Sequence, residues 1–319
     1  MGTLANVGNT CGINTLIQCM TYTPFLRRFI LERETDNHRS LSFQFKDVIN
    51  GIYNKKVSLS PSGLVSSIHE NFKDLIAEFE QTDIGELWQL IANKIGEENP
   101  VNISEERFLR EIADIHPMQQ TIEKKLRIIN NKNLCVWLRN IQGIQLSIIK
   151  CNNDVCDECS WIPEVFTSIP VDVSNTDHCD LAEILLQYFN VESMNEWKCE
   201  KCKNIGAQKQ SQIWSMPEVL VLNLKRFHID DSHHIRKLYT EISITEQINF
   251  NLNSGTHIFN YQLTAVGNHY GSYHGGHYNA ICNVGDNKWM EFDDLNVKEV
   301  NTDFLLNNRD AYILFYKKI

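Results

Sequence analysis

Through the first hundred residues the apolar positions recur at helical spacing. Ile13, Leu16, Ile17 and Met20 stand at i, i+3, i+4 and i+7, one stripe that predicts a helix opening at Cys11. Asn9 and Thr10 precede it as candidate caps, and Thr21 with Pro24 marks its end. A polar segment over 32–40 follows, then a predicted helix over 41–53 and another over 64–72 behind Ser60-Pro61-Ser62. Ile84, Leu87, Trp88 and Ile91 repeat the stripe within 82–95. Asp83 and Glu86 lie off that stripe three residues apart, so both can point the same way from the helix start.

The texture changes near residue 144. Strands are predicted over 144–150, 164–173 and 218–227, the last flanked by Pro217, with a short helix over 181–189. Residues 96–106 read as a loop, 119–132 as an exposed charged segment, and 228–237 as a histidine-rich loop. From Tyr261 onward strand-like runs alternate with turns and close on Ala311-Tyr312-Ile313-Leu314-Phe315-Tyr316. A helical first part therefore precedes a strand-rich second part. No linker separates them, which predicts one interleaved α+β domain over 1–319, helical to about residue 115.

Composition narrows the function classes. The 319 residues carry 30 basic and 40 acidic side chains, net −10, which weighs against a nucleic-acid binder and favours a protein partner with a basic segment. No apolar run approaches the ~20 residues that cross a bilayer. No basic start followed by an apolar run suggests a signal peptide, so the expected location is cytoplasmic or nuclear. Ten cysteines in a chain this rich in apolar residues do not suggest a disulfide scaffold. Cys151, Cys156 and Cys159, with Cys199-x2-Cys202, instead have the crowding of metal ligands in a reducing compartment.

Cys11 is the first candidate for chemistry. A thiol in the first turn of a helix feels the positive end of the helix dipole, which favours the nucleophilic thiolate. A base is available far along the chain. Strand-like runs at 278–284 and 288–292 are joined by Gly285-Asp286-Asn287, a turn signal. A hairpin pivoting there opposes residues whose numbers sum to 570 or 571, which sets His277 against Asp293 with Asp294 as the nearest competitor. A carboxylate at that position would accept a hydrogen bond from Nδ1–H and stabilise the imidazolium formed on taking a thiol proton. His257, His269 and His274 crowd the same region but lack fixed ligand spacing, so metal binding there ranks lower. Gly271, Gly275 and Gly276 imply a sharply bent or closely approached backbone.

These residues resemble the ubiquitin-specific proteases, cysteine-dependent deubiquitinating enzymes. Leu4 to Cys11 with Asn14 and Leu16 to Gln18 are similar to that family's cysteine box. Tyr261-Gln262-Leu263, His269-Tyr270-Gly271, Gly276-His277-Tyr278, Trp289 and Phe292-Asp293-Asp294 are similar to its histidine box. Gln81 to Leu87, Pro217 with Leu220 to Phe227, and Ala311 to Tyr316 complete an ordered match across the chain. The resemblance implies a papain-like fold with helical thumb, strand-rich palm and zinc-ribbon-like fingers. It implies Cys11 as nucleophile, His277 as base and Asp293 as orienting acid, with Asp294 assisting. Asn6 is implied as an oxyanion donor, a role worth roughly 3 kcal/mol in a comparable site. Asp83 and Glu86 are implied contacts for the arginine-bearing tail of ubiquitin. Gly275, Gly276 and Tyr278 are implied to line the path of its terminal glycines. Two departures stand out: Gly12 and Ile13 replace an aromatic and a methionine, and Gly85 stands where relatives often carry histidine.

The family pattern selects Cys151 and Cys156, with Cys199 and Cys202, as ligands of a structural zinc. Spacing alone prefers Cys156-x2-Cys159, and Cys159 stays the alternative for either member of the first pair. The expected partners are ubiquitin and ubiquitinated proteins, met by a monomer without nucleic acid, membrane or catalytic cofactor. The rivals are the same thiol chemistry on another ubiquitin-like modifier, a catalytically inactive ubiquitin-binding module, and a zinc-dependent hydrolase.

Overall fold

Helix α1 (Cys11–Tyr22) is the axis of the fold in the computed structural model. The structure describes residues 1–33, 37–76, 82–100, 124, 135–230, 232–252, 257–273 and 275–319. The single stripe expected of α1 understates its burial, because all twelve residues are buried. Several of its polar side chains find internal partners, although the Asn14 and Gln18 amide oxygens are buried without one among the described residues. Gln18 Nε2 donates to the Gly2 carbonyl at 3.4 Å, and Thr21 Oγ1 to the Ile17 carbonyl at 2.7 Å. A helix buried on every side is what a central element of a large core looks like.

Pro24 starts α2 (Pro24–Glu32) as well as ending α1, a helix the sequence reading did not separate. Helix α3 (Leu41–Ile49) is shorter than expected, because the chain passes into a π-helical turn at Asn50–Asn54. Ser40 caps it by accepting from the Phe43 N–H. Helix α4 (Ser62–Phe72) follows, and α5 (Ile84–Glu98) runs past the predicted end into residues expected to be loop. Residues 101–106 of the expected loop, and the charged segment at 119–132 apart from Lys124, lie outside the described residues. Trp88 and Trp137, both fully buried, tie α5 to the short α6 (Val136–Ile141), with Trp137 Nε1 donating to the Ala92 carbonyl at 2.8 Å.

The strand-rich part opens with β1 (Gly143–Cys151) and β2 (Cys159–Phe166), followed by β3 (Ile169–Asp172). The single strand predicted over 164–173 is thus two, broken at 167–168 because its halves enter different sheets. β4 (His178–Asp180) and α7 (Leu181–Gln187) lead to β5 (Glu192–Lys198) and β6 (Ile205–Ser215). Strands β2-β1-β6-β5 form a four-stranded sheet. The predicted strand over 218–227 is β7 (Val219–Lys225) plus β8 (Phe227–Ile229). The histidine-rich stretch beyond it is the far arm of a small hairpin, β9 (Ile235–Lys237), rather than a plain loop. β10 (Glu241–Ser243) pairs with β4 in parallel.

β11 (Gln247–Leu252), β12 (His257–Ser272), β13 (Gly275–Asn283), β14 (Trp289–Asp293), β15 (Asn296–Val300), α8 (Thr302–Leu306) and β16 (Ala311–Lys318) complete the chain. The large sheet runs β15-β14-β13-β12-β16-β7-β3, with β11 also on β12. One face of β13 carries Tyr278, Ala280 and Cys282 into the core shared with α1. The helical first part is therefore packed on the central strands of the sheet.

Candidate active site

The site forms where the N-terminus of α1 meets one end of the β13–β14 hairpin. Upstream of Cys11 the chain reverses through Gly8 (φ +111°) and Asn9 (φ +50°), left-handed positions that glycine and asparagine tolerate. Thr10 occupies the cap position without a side-chain cap bond. Its N–H and hydroxyl both donate to Asn6 Oδ1, at 3.2 and 3.3 Å, as does the Gly8 N–H at 3.2 Å. These three donors settle the orientation of the Asn6 amide: its oxygen faces the loop and its NH2 faces outward.

The hairpin turns through Gly285, Asp286 and Asn287, all with positive φ. Its register pairs Ala280 with Phe292 and Cys282 with Met290, so opposed numbers sum to 572 rather than 570 or 571. That register sets Asp293 level with Asn279 and makes His277 its diagonal neighbour. A two-residue offset keeps both side chains on one face, and diagonal neighbours remain within reach of long side chains. The His277 and Asp293 side chains meet at 2.6 Å, about two-fifths exposed each. The nitrogen involved is Nε2, not the Nδ1 expected from sequence. Nε2–H donates to Asp293 Oδ1, which leaves Nδ1 as the lone-pair nitrogen that can take a proton.

Asp294 opens the two-residue turn between β14 and β15 in a left-handed conformation, φ +51°. Its carboxylate makes no contact with His277 of the kind Asp293 makes. Instead Oδ2 accepts from Asn6 Nδ2 at 3.0 Å, and Oδ1 accepts from Asn14 Nδ2 at 2.8 Å. Asn14 also donates to the Ala5 carbonyl at 3.3 Å, and the Leu4 N–H donates to the Asp294 carbonyl at 3.3 Å. Asp294 thus joins the segment before Cys11, the first turn of α1 and the hairpin that carries His277 and Asp293. An amide NH2 has two hydrogens. With one on Asp294, the other on exposed Asn6 is available to a developing oxyanion.

Cys11 is 2% exposed in the first turn of α1. Its neighbour Gly12 faces the residue after His277: a Cβ there would meet the Tyr278 ring at 3.4 Å and the Thr82 carbonyl at 3.5 Å. The Cys11–Gly12 turn and the His277–Tyr278 step are therefore packed together. Tyr278 is buried, and burial raises its phenol pKa above the ordinary range.

The glycine strip borders this junction. Gly276 has no room for a side chain, since a Cβ would come within 2.1 Å of the Tyr270 carbonyl and 2.4 Å of His269 Nε2. Gly275 is exposed and faces open space. His269 lies beneath them, buried among Phe227, Tyr278 and Tyr312, and burial pushes its pKa down to about 4. His274 lies outside the described residues. Asp83 and Glu86 separate in role. Asp83 caps α5, its Oδ1 accepting from the Gly85 and Glu86 N–H groups at 2.8 and 2.9 Å, while its Oδ2 accepts from the Tyr312 hydroxyl. Glu86 is exposed on the first turn. Gly85 faces Asn223 so closely that a Cβ would sit 2.1 Å from its Nδ2. Asn223 thus fills the volume a side chain at position 85 would need.

Away from this site, Cys151, Cys156, Cys199 and Cys202 converge, their sulfurs all within 4.8 Å of one another. Cys151 and Cys202 Sγ lie 3.6 Å apart, Cys156 and Cys199 Sγ 3.8 Å. Four thiolates at tetrahedral positions with metal–sulfur bonds of about 2.3 Å would have edges of about 3.8 Å. The donor set fits one metal ion and leaves no open position. Cys159 is exposed at the start of β2 and outside the cluster.

Sequence reasoning missed Asn14 as the second amide on Asp294, and Tyr312 as the partner of Asp83. Asn14 carried a signal, since i+3 from Cys11 places it one turn along the helix near the same end. Tyr312 carried none, being 229 residues from Asp83.

The ubiquitin carboxyl-terminal hydrolase family model matches residues 3–316. Relatives include ubiquitin carboxyl-terminal hydrolase 4 of Eremothecium gossypii, 26% identical over 99% of this chain and 42% of that protein. Another is ubiquitin carboxyl-terminal hydrolase Usp2 of Drosophila melanogaster, 26% identical over 99% of this chain and 34% of that protein. The chain therefore spans less than half the length of these curated relatives. The fold is also that of a chain in the yeast SAGA DUB module with an Sgf73 mutant, TM-score 0.77, 24% identity, covering 100% of this chain and 68% of that one. The SAGA Ubp8/Sgf11/Sus1/Sgf73 DUB module bound to ubiquitin aldehyde matches similarly, TM-score 0.76, 22% identity, covering 100% and 70%. With a family model matched from residue 3 to residue 316, the chain belongs to the ubiquitin carboxyl-terminal hydrolases.

Proposed function

We propose that this chain is a thiol-dependent deubiquitinase that cleaves the isopeptide bond after the C-terminal glycine of ubiquitin, on protein conjugates or ubiquitin chains. The observation that carries the reading is the 2.6 Å bond between His277 Nε2 and Asp293, which leaves Nδ1 as the lone-pair nitrogen on a strand whose next residue, Tyr278, packs against Gly12 in the first turn of α1. Nδ1 takes the Cys11 proton, and the thiolate attacks the carbonyl of the last glycine. Asn6, held by Asp294, donates to the oxyanion. The imidazolium then protonates the departing lysine amine, the C–N bond breaks, and water releases the acyl-enzyme with His277 as base. The SAGA module of like fold bound to ubiquitin aldehyde supports ubiquitin as partner. The exposed carboxylate of Glu86 suits the arginine-bearing tail, and Gly275 and Gly276 suit its terminal glycines.

Cys151, Cys156, Cys199 and Cys202 would hold a structural zinc, which supplies cross-linking between β1, the loop before β2 and the β5–β6 connection. Its support is the tetrahedral sulfur spacing. A thiol nucleophile and a four-thiolate metal site suit a reducing cytoplasmic or nuclear setting.

The test is reaction with ubiquitin carrying a thiol-reactive C-terminus, with parallel probes built on other ubiquitin-like modifiers. A single adduct with the ubiquitin probe, lost in Cys11→Ala, is the expected result. No adduct on a folded sample, or one that persists in Cys11→Ala, overturns it. Preference for another modifier's probe would transfer the chemistry to that modifier.

A further inference from the structure

At the far ends of the two catalytic elements lies a second concave site. A cavity of about 390 Å³ is bounded by Tyr22 at the last turn of α1, Arg27 on α2, Tyr53, the hairpin turn at Asp286, and Lys317 on β16. A neighbouring hollow of about 470 Å³ shares Tyr22, Tyr53 and Val284 and adds Lys56. None of this wall belongs to the Cys11 site, which lies at the opposite ends of α1 and of the hairpin.

Arg27 is held rigidly and is largely unspent. Its guanidinium carbon sits 4.0 Å above the Tyr53 ring centre, and one terminal nitrogen donates to the Thr21 carbonyl at 2.9 Å. A guanidinium has five N–H donors. No carboxylate among the described residues pairs with Arg27, the titratable groups beside it are two neutral tyrosines, and Arg27 lines the cavity. Lys317 likewise pairs with no carboxylate among the described residues, although its neighbour Lys318 pairs with Glu218 at 3.4 Å. Asp286 lines the cavity but makes no ion pair with either cation. A half-buried guanidinium without a paired anion is costly, and Arg27 and Lys317 both line this cavity in a chain of net charge −10. Local geometry, rather than the field of the whole protein, must therefore select the ligand.

We propose that this cavity binds a small phosphomonoester, its phosphoryl group between Arg27 and Lys317 and its hydroxyl groups donating to Asp286. A phosphoryl dianion opposes both cations even with the Asp286 carboxylate in the same lining, and its oxygens suit the planar fork of Arg27. The cavity exceeds the size of inorganic phosphate, leaving room for an organic portion against Tyr22. Bound there, the ligand joins the C-terminal end of α1 to the turn of the catalytic hairpin.

The experiment is titration of the full chain with glucose 6-phosphate and, separately, adenosine monophosphate, followed by calorimetry and phosphorus NMR. Saturable binding of either probe is expected, and the probe bound more tightly distinguishes a sugar from a nucleoside source. Arg27→Gln should weaken it about tenfold or more, the scale of a lost charge-assisted pair. Lys317→Gln should weaken it less, and Arg28→Gln, on the exposed neighbour, should leave it unchanged. Should Arg27→Gln fail to fold, Lys317→Gln carries the comparison. No saturable binding of either probe, an affinity indifferent to both cavity substitutions, or an equal loss in Arg28→Gln overturns the proposal.

Discussion

Acid should loosen the floor of the catalytic site through one side chain, His269. Burial, reinforced by the nearby Lys237 cation, holds its pKa at about 4 against an ordinary 6.5; the residue is 3% exposed. The unfolded chain therefore binds a proton from about pH 6.5 downward, while the folded chain resists until about pH 4. The stabilisation is complete above pH 6.5 and is lost as pH falls through that window. A shift of this size corresponds to about 3 kcal/mol when fully developed and about 2 kcal/mol at pH 5. The loss falls on the packing of His269 with Tyr278 and Tyr312 and on the close approach of Gly276 to its ring. Urea unfolding at pH 8 and pH 5 measures the effect. His269→Asn removes the titration, so its stability should change less between the two pH values by about 2 kcal/mol. Equal pH dependence in the two proteins would refute the assignment, whatever the absolute stability of the variant.

Three further outcomes follow from named contacts. Asp294→Ala removes the acceptor of Asn6 and Asn14 without touching the His277–Asp293 bond. It should lower kcat on a fluorogenic ubiquitin substrate by about 10- to 100-fold, the loss of one or two charge-assisted bonds, with Cys11 still alkylated at a near-normal rate. An unchanged kcat would remove Asp294 from the mechanism. Gly276→Ala forces a Cβ against the Tyr270 carbonyl, which cannot swing away, and should cost about 1–3 kcal/mol in thermal unfolding. Gly275→Ala, facing open space, should leave Tm within a degree, so equal losses would contradict the packing described. Metal analysis should find one zinc per chain, lost in Cys199→Ser and retained in Cys159→Ser, and a chelator should lower Tm. Retention of zinc in Cys199→Ser would refute the ligand set.

The sequence alone determined the helical spacing of α1, the stop at Pro24, the turn at Gly285-Asp286-Asn287 and the type of most long elements. These depend on local periodicity and turn chemistry, which a chain carries in each short segment. Sequence spacing also placed His277 and Asp293 on one side of a hairpin, because period-two alternation survives a two-residue error in register. The register itself, and with it the use of Nε2, came only from the sheet, since turn length leaves several pairings open. Breaks in the strands at 167–168 and 226 were likewise invisible: they occur where the chain passes between sheets, and apolar runs look alike on either side. The roles of Asp294, Asn14 and Tyr312 were decided by tertiary structure alone. Each depends on contacts 229 to 288 residues apart, which no local pattern encodes. The same is true of Arg27, whose unspent donors become visible only once α2, the hairpin turn and β16 enclose a common cavity.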